Sequence, residues 1–442
     1  MPFVLSPRSA LASPLRLRSS SVAAAAASSS APGIGPAPAA GSTPRTTTAS
    51  WCARRSARPL PPLALGLRRL IGGADEAVSV LPSWLQLGCG LVTLDYLATA
   101  DAYPRPDDKI RTGELQISGG GNAGNALTAA ARLGLNTRVI SKVANDETGG
   151  TVLSELMEAG IDTSHVIISD GGNTTFVYII IDKQTKTRAC ILTPGDPPIV
   201  PSDLPMSSLS AALQDVSLLY LDGYSPKWHW LLLSRRLLTY VGKWRKVDAE
   251  QEKTKEELEG LLSLASYIVC SGKFPENWTS MPSLPCALLE ILLQYPRAKF
   301  VIATLGEKGC MMLERSESGD GVVEDAADIE VVSESLKLEL HKDDVLPTCV
   351  SSQFTRLSAR GLGTVFGRLL IGTAEVIPAS ELVDTTGCGD AFIGAVLHAL
   401  SAEMPPEKML PFASQVAGIK CRAVGARAGL PWCSDQRLAM YL

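Results

Sequence analysis

The chemistry of this chain is concentrated near its carboxyl end, in the run Asp384-Thr385-Thr386-Gly387-Cys388-Gly389-Asp390. The strongly apolar segment Ala391–Leu400 follows directly, so the run predicts a glycine-rich turn that leads into the N-terminus of a helix. The backbone N–H groups of Gly387, Cys388 and Gly389 can converge there on an anion, and the helix dipole adds positive potential. The run therefore predicts an anion-binding turn.

Asp390 follows this turn, although a bare carboxylate beside an anion site would repel phosphate. Its presence makes sense if it removes the proton of an attacking hydroxyl while the N–H groups hold the charge that develops on a transferred phosphoryl group. The alternative interpretation is a simple helix cap, since Asp and Gly are common at helix starts. A second motif, far upstream, favours the catalytic role.

That second motif is Ser118-Gly119-Gly120-Gly121-Asn122-Ala123-Gly124-Asn125, at the start of a predicted helix. Its glycines would let a ligand approach the backbone. Asn122 and Asn125 are three residues apart, so both amides emerge on one face of the first helical turn, where they suit a polyol. Upstream, Asp95 lies just past the first predicted strand, where its carboxylate can accept two sugar hydroxyls.

The same glycines also fit the spacing G-x-G-x-x-G of a dinucleotide site, with Asp146 about 20 residues further on. However, the preceding predicted strand is short and polar, and this interpretation leaves Asn125, Asp95 and the anion-binding turn without a use. No G-x-x-x-x-G-K-[ST] run occurs, so a P-loop kinase is not supported. The polyol interpretation is therefore preferred.

A third element, Thr304-Leu305-Gly306-Glu307-Lys308-Gly309, ends an apolar predicted strand. Thr304, Gly306 and Gly309 at the carboxyl edge of a strand suit contacts with the phosphate or ribose of a nucleotide. An ordinary strand-to-hairpin turn explains this piece almost as well.

The first 74 residues differ in composition from the rest of the 442-residue chain. They contain nine Arg but no Asp, Glu or Lys, and they include Ala- and Ser-rich runs such as Ala23–Ser30. Acid-free leaders of this kind are typical of organelle transit peptides. We expect a disordered chloroplast transit peptide in residues 1–74, with a mitochondrial one as the alternative, and a plain disordered tail as the other interpretation.

The remaining chain has 32 basic and 45 acidic residues, which argues against nucleic acid as a partner. No stretch approaches about 18 consecutive strongly apolar residues, so no membrane partner is expected. The ten Cys and four His show no metal-ligand spacing, which predicts reduced, mostly buried thiols.

Short apolar runs alternate with helical periods from about residue 84 onward, which predicts an α/β domain with a mostly parallel, buried sheet over residues 75–434. Strands near 96–118 and 174–192 break this rhythm and would form a small separate sheet over a cleft. An acidic insertion at about 316–345 interrupts the domain. Ser316–Asp344 has ten acidic residues and no clear period, and we expect disorder in Ser316–Asp328.

Together these motifs resemble the ribokinase-like, or PfkB, carbohydrate kinases, and among them the ketohexokinase and fructokinase-like branch of the plant plastid type. The similarity runs from about Leu85 to Pro431, and the glycine-asparagine motif, residues 90–95 and Gln415–Cys421 carry it. The resemblance implies a three-layer α/β/α Rossmann-like sandwich with a small β-sheet lid. It also implies ATP-dependent phosphorylation of a sugar hydroxymethyl group.

Carried over residue by residue, the resemblance implies that Asp390 is the base and that Gly387, Cys388 and Gly389 form the anion hole. It implies a sugar site at Asp95, Gly121, Asn122 and Asn125, and a nucleotide site at Thr304, Gly306 and Gly309. Mg²⁺ would be bound by the ATP phosphates. The family also allows a monovalent cation such as K⁺ near Asp384 and Thr386. The partners would be a small sugar and ATP, and a homodimer through the lid is allowed.

Two departures from the family pattern matter. The family usually has Ala where this chain has Cys388, but the backbone N–H remains, so little loss is expected. The Asn-x-x-Glu magnesium motif would follow the strand that ends at Cys270, where Ser271-Gly272-Lys273-Phe274 stands instead. A thiol at a helix N-terminus is also prone to oxidation, whereas the alternative is that Cys388 is simply a small packed residue.

Two other functions stay open. A catalytically weak family member could serve as a subunit of a plastid assembly, but such a copy could lose its base, whereas Asp390 is kept. A nucleoside kinase of the same fold would want aromatic or apolar residues around a base, and the two Asn favour a polyol. The sequence does not choose between ribose, fructose and related ketoses.

Overall fold

A computed structural model describes residues 85–223, 244–249, 255–316, 325–340 and 344–442, with only the backbone of 244–249 and 255–257. The expected transit peptide and residues 317–324 of the segment expected to be disordered lie outside these ranges. All the described residues fall in one unit of the chain, Val78–Leu442.

Eighteen strands and nine α-helices are formed by the described residues. In chain order the strands are β1 Leu85–Cys89, β2 Thr93–Ala100, β3 Leu115–Gly120, β4 Asn136–Ile140, β5 Lys142–Ala144, β6 Ile161–Asp162, β7 Ile167–Ser169, β8 Phe176–Asp182, β9 Arg188–Thr193, β10 Val216–Leu221, β11 Trp244–Ala249, β12 Tyr267–Ser271, β13 Phe300–Thr304, β14 Cys310–Arg315, β15 Ala327–Asp328, β16 Cys349–Ser351, β17 Thr355–Ser358 and β18 Thr364–Gly372. The helices are α1 Asn122–Arg132, α2 Glu147–Glu158, α3 Met206–Leu213, α4 Lys255–Leu262, α5 Phe274–Thr279, α6 Leu284–Gln294, α7 Ile329–Glu339, α8 Cys388–Ser401 and α9 Pro406–Lys420.

The large sheet has twelve described strands in the order β15-β17-β18-β14-β13-β12-β11-β10-β1-β4-β6, with β16 paired to β18. Its centre, from β6 through β1 to β13, is parallel, whereas β14 and β18 add an antiparallel edge. Strands β10, β12 and β13 are almost continuously apolar because helices cover both of their faces. Their carboxyl ends meet at one edge, which is where ligands bind in such sheets.

Two apolar clusters, one on each face, make this a three-layer sandwich. One cluster packs α3, α4, α5, α6 and α7 against the sheet, through side chains such as Leu209, Leu261 and Leu288. The other packs α1, α8 and α9 through Ala126, Val396 and Phe412. The expected three-layer α/β/α fold is therefore confirmed.

A second sheet with the order β3-β2-β8-β9 forms the lid. Strand β2 pairs antiparallel with β3 and parallel with β8, and β8 and β9 form an antiparallel hairpin. One face of this sheet buries Leu97, Val177, Ile179 and Ile181, with Val424 packed against them. Asp95 lies two residues before Leu97 and so belongs to the same face.

The acidic segment contains regular structure that its sequence does not suggest. Helix α7 begins at Ile329, where the Asp328 side chain accepts a hydrogen bond from the Glu330 N–H, and it buries Ile329 and Leu336 against the large sheet. Its hydrophobic period is obscured because the apolar side chains of Val331 and Leu338 lie on its exposed face. No helix of the described ranges is both long and apolar enough to cross a membrane.

Candidate active site

The anion-binding turn has the backbone that its glycines predict. Gly387 caps α8 in the left-handed region, with φ of 74°, and a Cβ at this position would lie 2.6 Å from Cβ of Ala426. Asp384 is fully buried, and its side chain stabilises the turn through hydrogen bonds. Its carboxylate accepts hydrogen bonds from the Thr386 N–H at 2.9 Å, the Thr386 hydroxyl at 2.7 Å and the Gly425 N–H at 2.9 Å.

Two helices bring the two motifs of the sequence together. Helix α8 packs on α1 at Gly394, where a Cβ would lie 2.5 Å from Cβ of Ala129, so only glycine permits this close approach. One turn earlier, Asp390 Oδ2 accepts a hydrogen bond from Asn125 Nδ2 at 2.8 Å. The expected base and one of the expected sugar ligands, 265 residues apart in the chain, are therefore in direct contact.

Arg427 is a buried residue at this contact that the sequence analysis does not identify. Its buried guanidinium donates from Nε to Asn125 Oδ1 at 3.0 Å and from Nη2 to the Gly120 carbonyl at 2.7 Å, while Nη1 lies 3.7 Å from Glu155 Oε2. Burial lowers the pKa of Arg427 to about 10, so the group stays charged at neutral pH. By holding Asn125 Oδ1, it turns the Asn125 amide group toward Asp390.

Three glycines of the upstream motif, Gly119, Gly120 and Gly124, lie against side chains of the protein itself. A Cβ on Gly119 would lie 2.2 Å from Arg427 Nη1, and one on Gly124 would lie 2.3 Å from Nη2. A Cβ on Gly120 would lie 2.1 Å from Asp95 Oδ2. Gly119 and Gly120 end strand β3, which leads through Gly121 into α1, but β3 belongs to the lid and pairs antiparallel with β2. A dinucleotide site needs this turn to follow a strand of the parallel sheet, so that interpretation is not supported.

Asp95 lies past the end of β1, as expected, and is the third residue of lid strand β2. Its carboxylate is buried and accepts a hydrogen bond from the Thr93 hydroxyl at 2.7 Å. Burial raises the pKa of Asp95 to about 6, although this hydrogen bond and the charge of Arg427 act in the opposite direction. An acceptor in such a dry position binds hydroxyl donors strongly once it is ionised.

Gly121 and Asn122 begin α1 beside Asp95. Gly121 has φ of 84°, and a Cβ there would lie 2.4 Å from the Leu91 carbonyl oxygen. Asn122 is half-buried at the first position of the helix, whereas Asn125 is buried and its amide contacts both Arg427 and Asp390. The two amides thus differ in surroundings although they share a helical face.

Two further side chains that the sequence did not reveal border the cleft. Glu155 of α2 accepts a hydrogen bond from the Gly119 N–H at 2.6 Å. Arg188, on lid strand β9, donates to the Thr385 carbonyl at 3.3 Å and so links the lid to the anion-binding turn. No local motif marks either residue, since only the strand register and the packing of α2 place them here.

The expected nucleotide residues lie at a different part of the same sheet edge. Strand β13 ends at Thr304, and a tight turn through Gly306 and Gly309 leads into the antiparallel strand β14. Gly309 has φ of 84°, and a Cβ there would lie 2.0 Å from the Gly372 carbonyl oxygen. The Thr304 hydroxyl donates to the Cys270 carbonyl at 3.3 Å. The hairpin turn considered for this segment is therefore present.

Cys388 has a second thiol beside it. A hydrogen bond from Cys421 lowers the pKa of Cys388 against the opposing effect of burial, and the charges of Arg188 and Lys420 act in the same direction as the hydrogen bond. The pKa of Cys421 is raised by the same contact. Neither Cys388 nor Cys421 is in a disulfide.

Within the described ranges, no group of three or more His, Cys, Asp or Glu side chains is arranged to hold a metal. A magnesium ion carried on nucleotide phosphates needs no such cluster.

Comparison with known proteins places this geometry in a family. The model of the pfkB family carbohydrate kinases matches residues 89–333 and 371–433. The chain is 22% identical to mouse (Mus musculus) ketohexokinase over 76% of its own length and 95% of that protein, and 21% identical to mouse ribokinase over 80% and 93%. The solved structure of Arabidopsis thaliana ribokinase with ribose and ATP aligns with a TM-score of 0.58 and 16% identity, over 81% of this chain and 99% of that one. This protein belongs to the pfkB family of carbohydrate kinases.

Proposed function

We propose that this kinase transfers the γ-phosphoryl group of ATP to the hydroxymethyl group of a sugar, which is ribose, fructose or a related ketose. The observation that carries the proposal is Asp390, which follows three backbone donors at the start of α8 and is held by the Asn125 amide. A carboxylate fixed beside converging N–H groups suits proton removal from a hydroxyl that attacks a phosphoryl group.

In this mechanism each group of residues has one task. Asp95 and Asn122 bind sugar hydroxyls from the lid and from α1, with Gly121 between them. Asp390 accepts the proton of the reacting hydroxyl. The N–H groups of the anion-binding turn stabilise the negative charge on the phosphoryl group during its transfer. Thr304, Gly306 and Gly309 would border the nucleotide, whose phosphates would carry Mg²⁺. The ion would neutralise phosphate charge.

A substrate panel tests the proposal. Purified protein that lacks the leader is supplied with ATP, Mg²⁺ and, one at a time, ribose, fructose, other ketoses and nucleosides, and ADP formation is followed. We expect one of the sugars to give the highest kcat/KM. A nucleoside as the best substrate would favour the nucleoside kinase alternative, and no acceptor at all would favour the weak subunit of an assembly.

Replacement of Asn122 tests the sugar side of the cleft. Asn122→Ala should weaken the site by about 1–3 kcal/mol, because a sugar hydroxyl loses its partner in a closed cleft. We expect the loss in the KM for the sugar, while the KM for ATP stays constant. Asn277→Ala, on the exposed face of α5, is the matched control and should change neither constant. An effect of Asn122→Ala on the KM for ATP alone would mean that the two ends of the cleft are reversed.

Oxidation of the anion-binding turn should inhibit the enzyme reversibly. Peroxide would oxidise the Cys388 thiolate to a sulfenate, and attack by Cys421 would then form a disulfide and release water. We expect that ATP protects the enzyme from peroxide, that dithiothreitol restores activity, and that Cys388→Ala is active and resistant. If Cys388→Ala is as sensitive as the parent, another of the ten cysteines is responsible.

We also propose that residues 1–74 direct the protein to the chloroplast. The proposal rests on the nine Arg and the absence of acidic residues in this stretch. A fluorescent protein fused to residues 1–80 should enter plastids in plant cells. Mitochondrial fluorescence would support the alternative, and cytosolic fluorescence would end the proposal.

A homodimer through the lid is proposed from the outer face of that sheet. Paired positions on the four strands place Ile117, Tyr96, Tyr178 and Ile191 in one row, and three of them are at least half exposed. An apolar row of this kind commonly marks an interface. Sedimentation should give the mass of a dimer, and Tyr178→Glu should give the mass of a monomer.

A further inference from the structure

Lys420, the last residue of α9, has its charged group buried beneath the anion-binding turn. The side chain is completely inaccessible to solvent. Its Nζ donates to the Asp384 carbonyl at 2.9 Å and to the Ala423 carbonyl at 3.4 Å, and it lies 4.0 Å from Asp384 Oδ2. A buried ammonium group is costly unless it is matched by acceptors and an opposite charge, and all of these are present.

The oxygen atoms around Lys420 are those expected to surround a monovalent cation. The family resemblance allows such an ion near Asp384 and Thr386. In the structure, however, the Asp384 carbonyl accepts from Lys420, and the Asp384 carboxylate accepts from Thr386 and Gly425. A K⁺ ion bound here would also stand next to a like charge. These residues therefore do not fit a resident K⁺ ion.

The position of the ammonium group suits the role of a bound cation, which is to stabilise the negative charge of the transferred phosphoryl group. The N–H groups of Val383 and Asp384 donate to the Cys421 carbonyl at 3.0 and 3.1 Å, so the end of α9 and the start of the turn form one unit. The charge of Lys420 also reaches the turn itself, since it contributes to the lowered pKa of Cys388. A positive charge fixed under the N–H groups stabilises a transferred phosphoryl group without needing to be bound from solution.

We propose that Lys420 is a built-in replacement for an activating monovalent cation, so that this kinase does not need K⁺. The proposal rests on the proposed phosphoryl transfer for its catalytic meaning. The occupation of the cation position by the ammonium group can be tested without any substrate.

The first test uses the unmodified enzyme and its sugar from the substrate panel. The wild-type kcat should differ by less than about twofold between KCl and tetramethylammonium chloride of equal ionic strength. Lys420→Ala should lower kcat by roughly tenfold or more, and K⁺, Rb⁺ or ammonium should restore part of it, since they match the charge and approximate size of the lost group. Lys408→Ala, on the exposed face of the same helix, is the matched control and should behave as wild type.

The second test is the melting temperature, which needs neither sugar nor ATP. K⁺ should raise the melting temperature of Lys420→Ala above its value in tetramethylammonium, and it should leave the wild-type value unchanged. K⁺-dependent melting or K⁺-dependent kcat of the wild type would overturn the proposal, as would a folded Lys420→Ala variant that no monovalent cation rescues. If Lys420→Ala does not fold, the two wild-type measurements still decide. If no sugar is phosphorylated, the proposed function fails while the melting test remains valid.

Discussion

Asp390→Asn should lower kcat by roughly two to four orders of magnitude, which is the usual contribution of a positioned general base. The amide has nearly the same shape as the carboxylate, and its oxygen can still accept the hydrogen bond that Asn125 Nδ2 donates to Asp390. The geometry of the cleft should therefore persist while the proton acceptor is lost. We expect the KM for the sugar and the melting temperature to change little.

Steady-state kinetics with the best sugar of the panel checks this expectation. Asp170→Asn, at an exposed carboxylate on the surface, is the matched control and should retain full activity. An Asp390→Asn variant with near wild-type kcat would remove Asp390 from the role of base. The helix cap would then be the better interpretation of this residue.

Arg427→Met should have the second largest effect, on both stability and rate. The substitution removes the donors to Asn125 and to the Gly120 carbonyl and leaves buried acceptors without partners. Loss of one member of a buried charged network typically costs about 3–5 kcal/mol of unfolding free energy. Because the Asn125 amide is then free to turn away from Asp390, we also expect kcat to fall by roughly tenfold to a hundredfold.

A double-mutant cycle separates positioning from general destabilisation. If Arg427 acts on catalysis through Asn125, the losses of kcat in Arg427→Met and Asn125→Ala should not add in the double variant. Denaturant unfolding measures the loss of stability independently. Strictly additive losses of kcat would show that Arg427 does not act through Asn125. Arg427→Lys keeps the positive charge but loses the planar guanidinium group with its several N–H donors. Its kcat should therefore lie between the kcat of Arg427→Met and that of the wild type.

Much of the fold was predictable because the determinants are local. The strand Val216–Leu221 and the beginning of α1 at Asn122 follow directly from apolar runs and from a glycine before a helix. The antiparallel pair β8 and β9 follows from the polar turn between two apolar runs. The confirmed sandwich and kinase family rest on such signals together with the two long motifs.

The parts that sequence reasoning missed depend on long-range packing. Arg427 is 302 residues from Asn125 in the chain, and only the packing of α1 against α8 brings its loop to the upstream motif. The purpose of Gly119 and Gly124 could not be seen for the same reason, since the group that needs their missing side chains comes from the other end of the chain. Lys420 enters the sequence analysis only within Gln415–Cys421, and no local signal predicts that its ammonium group is buried against Asp384.

The most direct measurement is phosphorus NMR of the reaction product. The enzyme, ATP, Mg²⁺ and the best sugar of the panel are incubated, and the new phosphate signal is assigned by its coupling to protons. The account predicts a phosphate monoester on a hydroxymethyl carbon, formed by the wild type and strongly reduced with Asp390→Asn. A phosphate on a ring or anomeric hydroxyl, or release of inorganic phosphate without any sugar phosphate, would contradict it.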